Sequence, residues 1–301
     1  MTTPRKPRVG LVLGSGSARG WAHIGVIRVL ERAGIRPDLV CGTSIGALVA
    51  GAYAAGELDR FEEWVLRMRL TDVISFMDVG IGGGLLKGAR LMAFIRRTFP
   101  DRAIEELQMP FGAVATALYT GTEIWLRTGS MLEAVRASIA MPGLFTPVLR
   151  DDVLLVDGGL VNPVPVSLAR AMGAEVLIAV DLSSDLLGRH LQVITEAPAA
   201  EQEVTATWMR KLQNNLTSLM GASDASKSPS MLDIVASSLN VMQVRITRSR
   251  MAGDPPDVLV APRLARLALL DFHRAQEAIE EGERAMEAAL PSLHLLGIRG
   301  S

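Results

Sequence analysis

From Leu39 to Gly56 the chain runs 18 residues without a charge. A run of that length raises the question of a membrane span, which takes about 18 or more apolar residues. Its content argues otherwise: Gly42, Thr43, Ser44, Gly46, Gly51 and Gly56 make it small rather than oily. The alternative is to bury it inside a soluble core as a strand, a sharp turn and a helix. A strand at 39–41 and a helix at 45–55 are therefore expected, both packed on all sides.

The same unit stands upstream. Residues 9–13 (V-G-L-V-L) form a short aliphatic run closed by glycine, and 21–33 has the apolar spacing of a helix ended by Gly34. Downstream, 58–69 reads as an amphipathic helix with Leu58, Phe61, Val65 and Met68 on one face. A glycine-rich stretch comes next at 81–88, then a helix at 89–98. Strands at 111–118 and 123–127 form a hairpin around Tyr119-Thr120-Gly121-Thr122. A helix is expected at 131–138, and Pro142 and Pro147 break the segment after it. Next come a strand at 153–156, a helix at 166–172 and a strand at 175–180. A strand at 258–260 and a long amphipathic helix at 272–290 close the pattern. The alternation means an α/β fold with a mostly parallel sheet. We expect one domain over 1–301, with 183–250, which is more polar, as a cap or mobile excursion within it.

Composition excludes several functions. Lys and Arg number 31 against 32 Asp and Glu, so the net charge is −1 and there is no basic footprint for nucleic acid. The lone cysteine, Cys41, rules out an intramolecular disulfide and a zinc site built on several thiolates; it reads as a buried small hydrophobe. No cluster with metal-ligand spacing is visible, so neither metal nor cofactor is expected. The basic start M-T-T-P-R-K-P-R leads into an apolar run too short for a signal peptide, which points to the cytoplasm. Mean hydropathy is nevertheless +0.28, which keeps peripheral contact with the inner face of a membrane open.

Three motifs fall at strand ends. Gly42-Thr43-Ser44-Ile45-Gly46 has the G-x-S-x-G form of a nucleophile elbow, in which a serine is thrust out of a strand-to-helix turn. Taken alone it could equally be a tight packing turn. Gly14-Ser15-Gly16-Ser17-Ala18-Arg19-Gly20 bends several backbone N–H groups together at a helix start. It fits neither a dinucleotide fingerprint, being one residue too long with no acid closing the second strand, nor a phosphate loop, lacking Gly-Lys-Ser/Thr. A transient oxyanion is a better match than a cofactor. Asp157-Gly158-Gly159 comes directly after a strand; alone it is a common turn, but beside the other two motifs it supplies an acid where α/β sheets collect their chemistry.

A serine nucleophile needs a base. Ser44, Asp157 and His190 have the order of a hydrolase triad, but His190 lies in the polar excursion with no strand to fix it. His23 sits near the glycine bend, where packing accounts for it better than catalysis. His273 and His294 belong to the terminal helix region and its tail. A Ser44–Asp157 dyad needs none of them.

These motifs, in this order, resemble the patatin-like phospholipases, specifically the bacterial RssA-type branch related to neuropathy target esterase. The resemblance spans nearly the whole chain. It includes G-S-G-S-A-R-G-W-A-H-I-G-V at 14–26, G-T-S-I-G at 42–46 and G-G-L-L-K-G at 83–88. It continues through A-S-I-A-M-P-G-L-F-T-P at 137–147, V-D-G-G-L-V-N-P-V-P at 156–165 and R-M-A-G-D-P-P-D-V at 250–258. It implies a three-layer α/β/α fold, a lipid or other acyl-ester substrate, Ser44 as nucleophile and Asp157 as general base. The family's oxyanion loop maps onto Ser15 to Gly20, placing Gly16, Ser17 and Arg19 in the hole. Ser15 and Ser17 stand where the family has glycine, a change the hole survives if φ is negative at both. Gly159 replaces the alanine of many members.

An acyl chain needs apolar lining, for which Leu85, Leu86, Leu91, Met92, Phe94, Ile139, Met141, Leu144 and Phe145 are candidates, although each also suits plain core. Trp208, Met209, Leu212, Leu216, Leu219 and Met220 form an apolar stripe that packs as a cap helix or meets a membrane surface. Arg19 positions the loop, meets a lipid phosphate, or pairs with a local carboxylate.

Overall fold

The computed structural model describes residues 6–76, 93, 95–97, 100–142, 144–185 and 231–300. The core is one sheet of eight strands: β1 (Val9–Leu13), β2 (Leu39–Thr43), β3 (Phe111–Ala117), β4 (Glu123–Leu126), β5 (Val148–Arg150), β6 (Val153–Asp157), β7 (Val176–Val180) and β8 (Val258–Val260). Its hydrogen-bonded path runs β5-β6-β3-β2-β1-β7-β8, and β4 joins β3. The strands β3, β2, β1, β7 and β8 are mutually parallel, whereas β4 and β6 run antiparallel to β3 and β5 runs antiparallel to β6.

Helices cover both faces. They are α1 (Ala22–Arg32), α2 (Ile45–Ala54), α3 (Leu58–Arg67), α4 (Leu70–Phe76), α5 (Met131–Ser138), α6 (Val166–Ala171), α7 (Met231–Gly253) and α8 (Ala275–Leu295). The strand period of two assigns side chains to the two layers. Val9, Leu11 and Leu13 of β1 enter a large cluster with residues of α1, α2, α3, α5 and α8, while Val12 enters a smaller one with Leu168 and Ala169 of α6. The charge-free run is accounted for by this burial: β2 is wholly buried, and α2 is buried along most of its length.

Three elements differ from the sequence reading. The strand β5 begins directly after Pro147 and turns into β6 through Asp151 and Asp152, at φ of 49° and 60°. A tight hairpin needs that left-handed pair, and Asp-Asp is a weaker signature of it than Asn-Gly. The last helix runs through Pro291 instead of stopping before it, because its apolar face continues to Leu293, fully buried. Within the polar stretch 183–250, the residues from 231 belong to α7, a regular helix that packs against the turn after β6. The rest of that stretch from 186 lies outside the described residues, as do His190, the Trp208–Met220 stripe and the glycine-rich stretch at 81–88.

Sheet register brings the two ends of interest together. On β3, Val114 pairs with Thr43 and the next residue, Ala115, pairs with Asp157. The strand β4 pairs with both Val114 and Ala115 and so fills one edge of β3. Hence β2 and β6 approach end to end along the other edge, and their carboxyl ends meet. Ser44 is the next residue after Thr43.

Candidate active site

Ser44 occupies the junction of β2 and α2 at φ 57° and ψ −126°, a left-handed conformation that a serine adopts only when held there. Two glycines make the bend possible. A Cβ on Gly42 would lie 2.4 Å from the Gly46 carbonyl, and one on Gly46 would lie 2.1 Å from the Leu13 carbonyl. The Ser44 N–H donates to Ser138 Oγ at 2.9 Å, and Ser138 Oγ in turn donates to the Val114 carbonyl at 2.6 Å. The elbow is thus pinned to α5 and β3.

Ser44 Oγ donates to Asp157 Oδ2 at 2.5 Å. The other carboxylate oxygen accepts from the Gly159 N–H at 2.7 Å, and the Asp157 main chain is bonded to Ala140 and Thr116. Gly158 belongs to the same turn and passes so close to β3 that a Cβ there would meet the Val114 carbonyl at 2.2 Å. Asp157 is 1% exposed. Burial pushes its pKa up to about 6, against the opposing pull of the Ser44 and Gly159 hydrogen bonds. A carboxylate so poised accepts a proton more readily near neutrality than an ordinary aspartate does.

The glycine-serine bend lies alongside. Its Gly14 N–H donates to Val180 O, Ser15 N–H to Pro163 O, Ala18 N–H to Leu269 O and Arg19 N–H to Gly16 O. The N–H groups of Gly16 and Ser17 enter no backbone hydrogen bond among the described residues. Ser17 is at φ 52°, so the condition of a negative angle at both serines is met at Ser15 and not at Ser17. The left-handed turn is held because Ser17 Oγ donates to the Leu269 carbonyl at 2.6 Å. Gly20, at the end of the bend, lies against Ile45 of α2.

A cavity of about 90 Å³ opens at Ser44 and Ser17. Ile139, Met141, Leu144 and Phe145 line it, as expected; Leu85, Leu86, Leu91, Met92 and Phe94 lie outside the described residues. Trp21 and Phe272 also line it, edge-on to each other at 5.7 Å. A hydroxyl bonded to a buried carboxylate beside an apolar cavity is an arrangement that can pair a nucleophile with its base.

The profile of the patatin-like phospholipases matches residues 11–170. The chain belongs to the patatin-like phospholipase family. An uncharacterized NTE family protein of Mycobacterium bovis is 30% identical over 96% of this chain and 93% of its own length. Human patatin-like phospholipase domain-containing protein 6 is 37% identical over 58% of this chain, which corresponds to 13% of that much longer protein. The crystal structure of VipD from Legionella pneumophila aligns over 97% of this chain and 68% of its own at a TM-score of 0.45 and 14% identity, a distance at which it adds nothing. Family membership carries lipid acyl hydrolysis as the general activity. Among the described residues, no helix is long and apolar enough to cross a membrane.

Other candidate residues of this patatin-like chain have different partners. Arg19 is buried and donates from Nε to the Leu267 carbonyl at 2.9 Å, with Asp185 and Asp271 nearby, and its backbone N–H is engaged with the Gly16 carbonyl. His23 is fully buried, bonded through Nε2 to the Gly14 carbonyl at 2.8 Å, and burial lowers its pKa to about 4, so it is a neutral packing residue. Cys41 is buried, as expected, and burial pushes its thiol pKa up. Sequence reasoning missed Ser138, which clamps the elbow, and Gln243 on α7, which meets the Ser15 hydroxyl. Ser138 stands in the 137–147 segment that carries the resemblance, but with no role read for it there, and Gln243 stands in no motif; a buried polar residue on a packed helix face is the mark of each.

Proposed function

We propose that this protein is a serine hydrolase of lipid acyl esters, of the phospholipase or lysophospholipase type, working through a Ser44–Asp157 dyad. The observation that carries the reading is the 2.5 Å bond from Ser44 Oγ, which lines an apolar cavity, to the buried carboxylate of Asp157. Asp157 takes the Ser44 proton as Oγ attacks the ester carbonyl carbon. The Gly16 and Ser17 N–H groups stabilise the oxyanion; loss of one such donor costs about 10²–10³ in rate. The carbonyl re-forms as the alcohol or lysolipid leaves with the proton held by Asp157. Water then attacks acyl-Ser44, giving its proton to Asp157, and the freed Ser44 Oγ recovers it.

The cavity walls of Ile139, Met141, Leu144 and Phe145 suit a fatty acyl chain. In this proposal the enzyme works in the cytoplasm and meets lipid from the surface of a membrane. The test is labelling with a serine-reactive phosphonate, wild type against Ser44→Ala, together with assays on phospholipid, lysophospholipid, thioester and short-chain ester. Labelling at Ser44 with turnover of long-chain lipid supports the reading. No labelling of folded wild type overturns it in favour of a partner-binding protein, and turnover of thioesters or short esters alone overturns the lipid assignment.

A further inference from the structure

We propose that Gln243 is a positioning residue for hydrolysis, a single carboxamide that joins the oxyanion loop to the turn of the general base. The proposal rests on the roles of Ser44 and Asp157 as nucleophile and base and extends that machinery to a helix outside the three motifs. On α7, Val241 and Met242 are 46% and 49% exposed while Gln243 and Val244 are 8% and 2% exposed. The inward face of this helix therefore presents an amide where packing alone favours an aliphatic side chain. Burying an amide costs free energy unless its polar atoms find partners.

The surroundings of Gln243 lie on both sides of the site. Its Oε1 accepts from Ser15 Oγ at 3.2 Å. Its Nε2 occupies the room a side chain at residue 159 would need: a Cβ on Gly159 would lie 2.6 Å from that nitrogen and 3.0 Å from Asp157 Oδ1. Ser15 is already tied by its N–H to Pro163 O at 2.8 Å, so the Gln243 contact fixes the residue at a second point. The next peptide presents the Gly16 N–H. On the far side, the Gly159 N–H holds the Asp157 carboxylate at 2.7 Å. One side chain thus sets the spacing between the amide that receives the oxyanion and the acid that receives the proton. A misplacement of about 1 Å in such a pair costs about a hundredfold in rate.

The test uses the full chain and three variants. Gln243→Met keeps the length of the side chain and removes both polar atoms; Ser15→Ala removes only the hydroxyl; Gly159→Ala keeps the glutamine but drives Nε2 from its seat, its Cβ also reaching Asp157 Oδ1 at 3.0 Å. The readouts are the rate of phosphonate labelling at Ser44 and the separate values of kcat and KM on a soluble ester. We expect Gln243→Met and Gly159→Ala to slow labelling and kcat by about tenfold or more, with KM within about twofold of wild type. The double variant of Gln243→Met with Ser15→Ala is expected to be no slower than the worse of those two singles, because both remove the same hydrogen bond. Ser15→Ala moves in the same direction with a smaller loss. Labelling of folded Gln243→Met at the wild-type rate overturns the proposal, and so do losses that multiply in the double variant. If Gln243→Met does not fold, Ser15→Ala and Gly159→Ala decide, and wild-type rates in both overturn it. Wild type that fails to label at Ser44 overturns instead the dyad on which the proposal rests.

Discussion

Two regions share the site unequally. Residues 9–180 supply the groups assigned to the reaction: Ser44, Asp157 and the amides of Gly16 and Ser17. Residues 243–272 supply what holds one of those pieces still. Ser15 Oγ, Ser17 Oγ, Arg19 Nε and Trp21 Nε1 donate to Gln243, Leu269, Leu267 and Phe272 respectively. The dyad is fixed differently, by sheet register and by glycines pressed against backbone. One half of the site is stiff by construction, while the other is strapped from outside. Changes to the first should abolish activity or folding, and changes to the second should be graded.

The largest effect is expected at the dyad. Ser44→Ala and Asp157→Asn should each lower kcat by about 10⁴-fold or more while the protein stays folded. His190→Ala should leave kcat largely intact; a loss matching that of Ser44→Ala would restore a histidine triad. Steady-state assay on a chromogenic ester checks both.

Gly46→Ala should act on folding. Its Cβ would sit 2.1 Å from the Leu13 carbonyl, and neither β1 nor α2 can yield, being packed through the core. A destabilisation of about 3 kcal/mol or more is expected, read as a large fall in Tm or loss of soluble protein. A fall of only a degree or two would show that the elbow is less rigid than its contacts imply.

Asp157 links activity to stability through pH. Its pKa in the fold, raised by burial to about 6, lies above that of the unfolded chain. The buried acid therefore contributes to stability while protonated, and the contribution is lost as pH rises from about 4 through 6. Activity runs the opposite way, because only the carboxylate accepts the Ser44 proton, so kcat/KM should fall as pH drops below about 6. Asp157→Asn removes the charge yet keeps an acceptor for the Gly159 N–H. It should be more stable than wild type at pH 8 by on the order of 2 kcal/mol, with the gap closing towards pH 4. Denaturant titration at the two pH values measures this, and an equal gap at both would mean that desolvation is not what shifts the acid.

The same division separates the legible parts of the chain from the illegible ones. Backbone chemistry leaves a mark in sequence: glycine where another backbone presses close, serine at a strand's end, short aliphatic runs where a strand is covered on both faces. Hence β1, β2, β7, the elbow and the Asp157 turn were legible from residues alone. The straps left no such mark. Three of the four acceptors are main-chain carbonyls, which any residue offers, and the fourth is one glutamine in a polar helix. The resemblance flagged Ser15, Ser17 and Gly159 as departures from the family pattern, but only the structure shows that Ser15 bonds Gln243 and that Gln243 Nε2 fills the room a side chain at 159 would need. The turn of Ser17 was left as a condition because sequence carries the steric cost of a positive φ but not the distant carbonyl that offsets it.

That turn gives the smallest and most discriminating test. At φ 52° Ser17 bears a conformational cost that glycine would not, and its hydroxyl bond to Leu269 offsets it. Ser17→Ala keeps the cost and loses the bond, so a destabilisation of about 1 kcal/mol is expected. Ser17→Gly loses the bond and the cost together, so its stability should stay within about 0.5 kcal/mol of wild type. If a favourable φ were all the loop needed, Ser17→Gly would also keep full activity. If the strap to residue 269 is what aims the Gly16 and Ser17 amides, both variants should lose kcat by a similar few-fold factor despite their different stabilities. Equal stabilities with unequal kcat would reverse the assignment and make the left-handed turn, rather than the C-terminal carbonyl, the element that sets the loop.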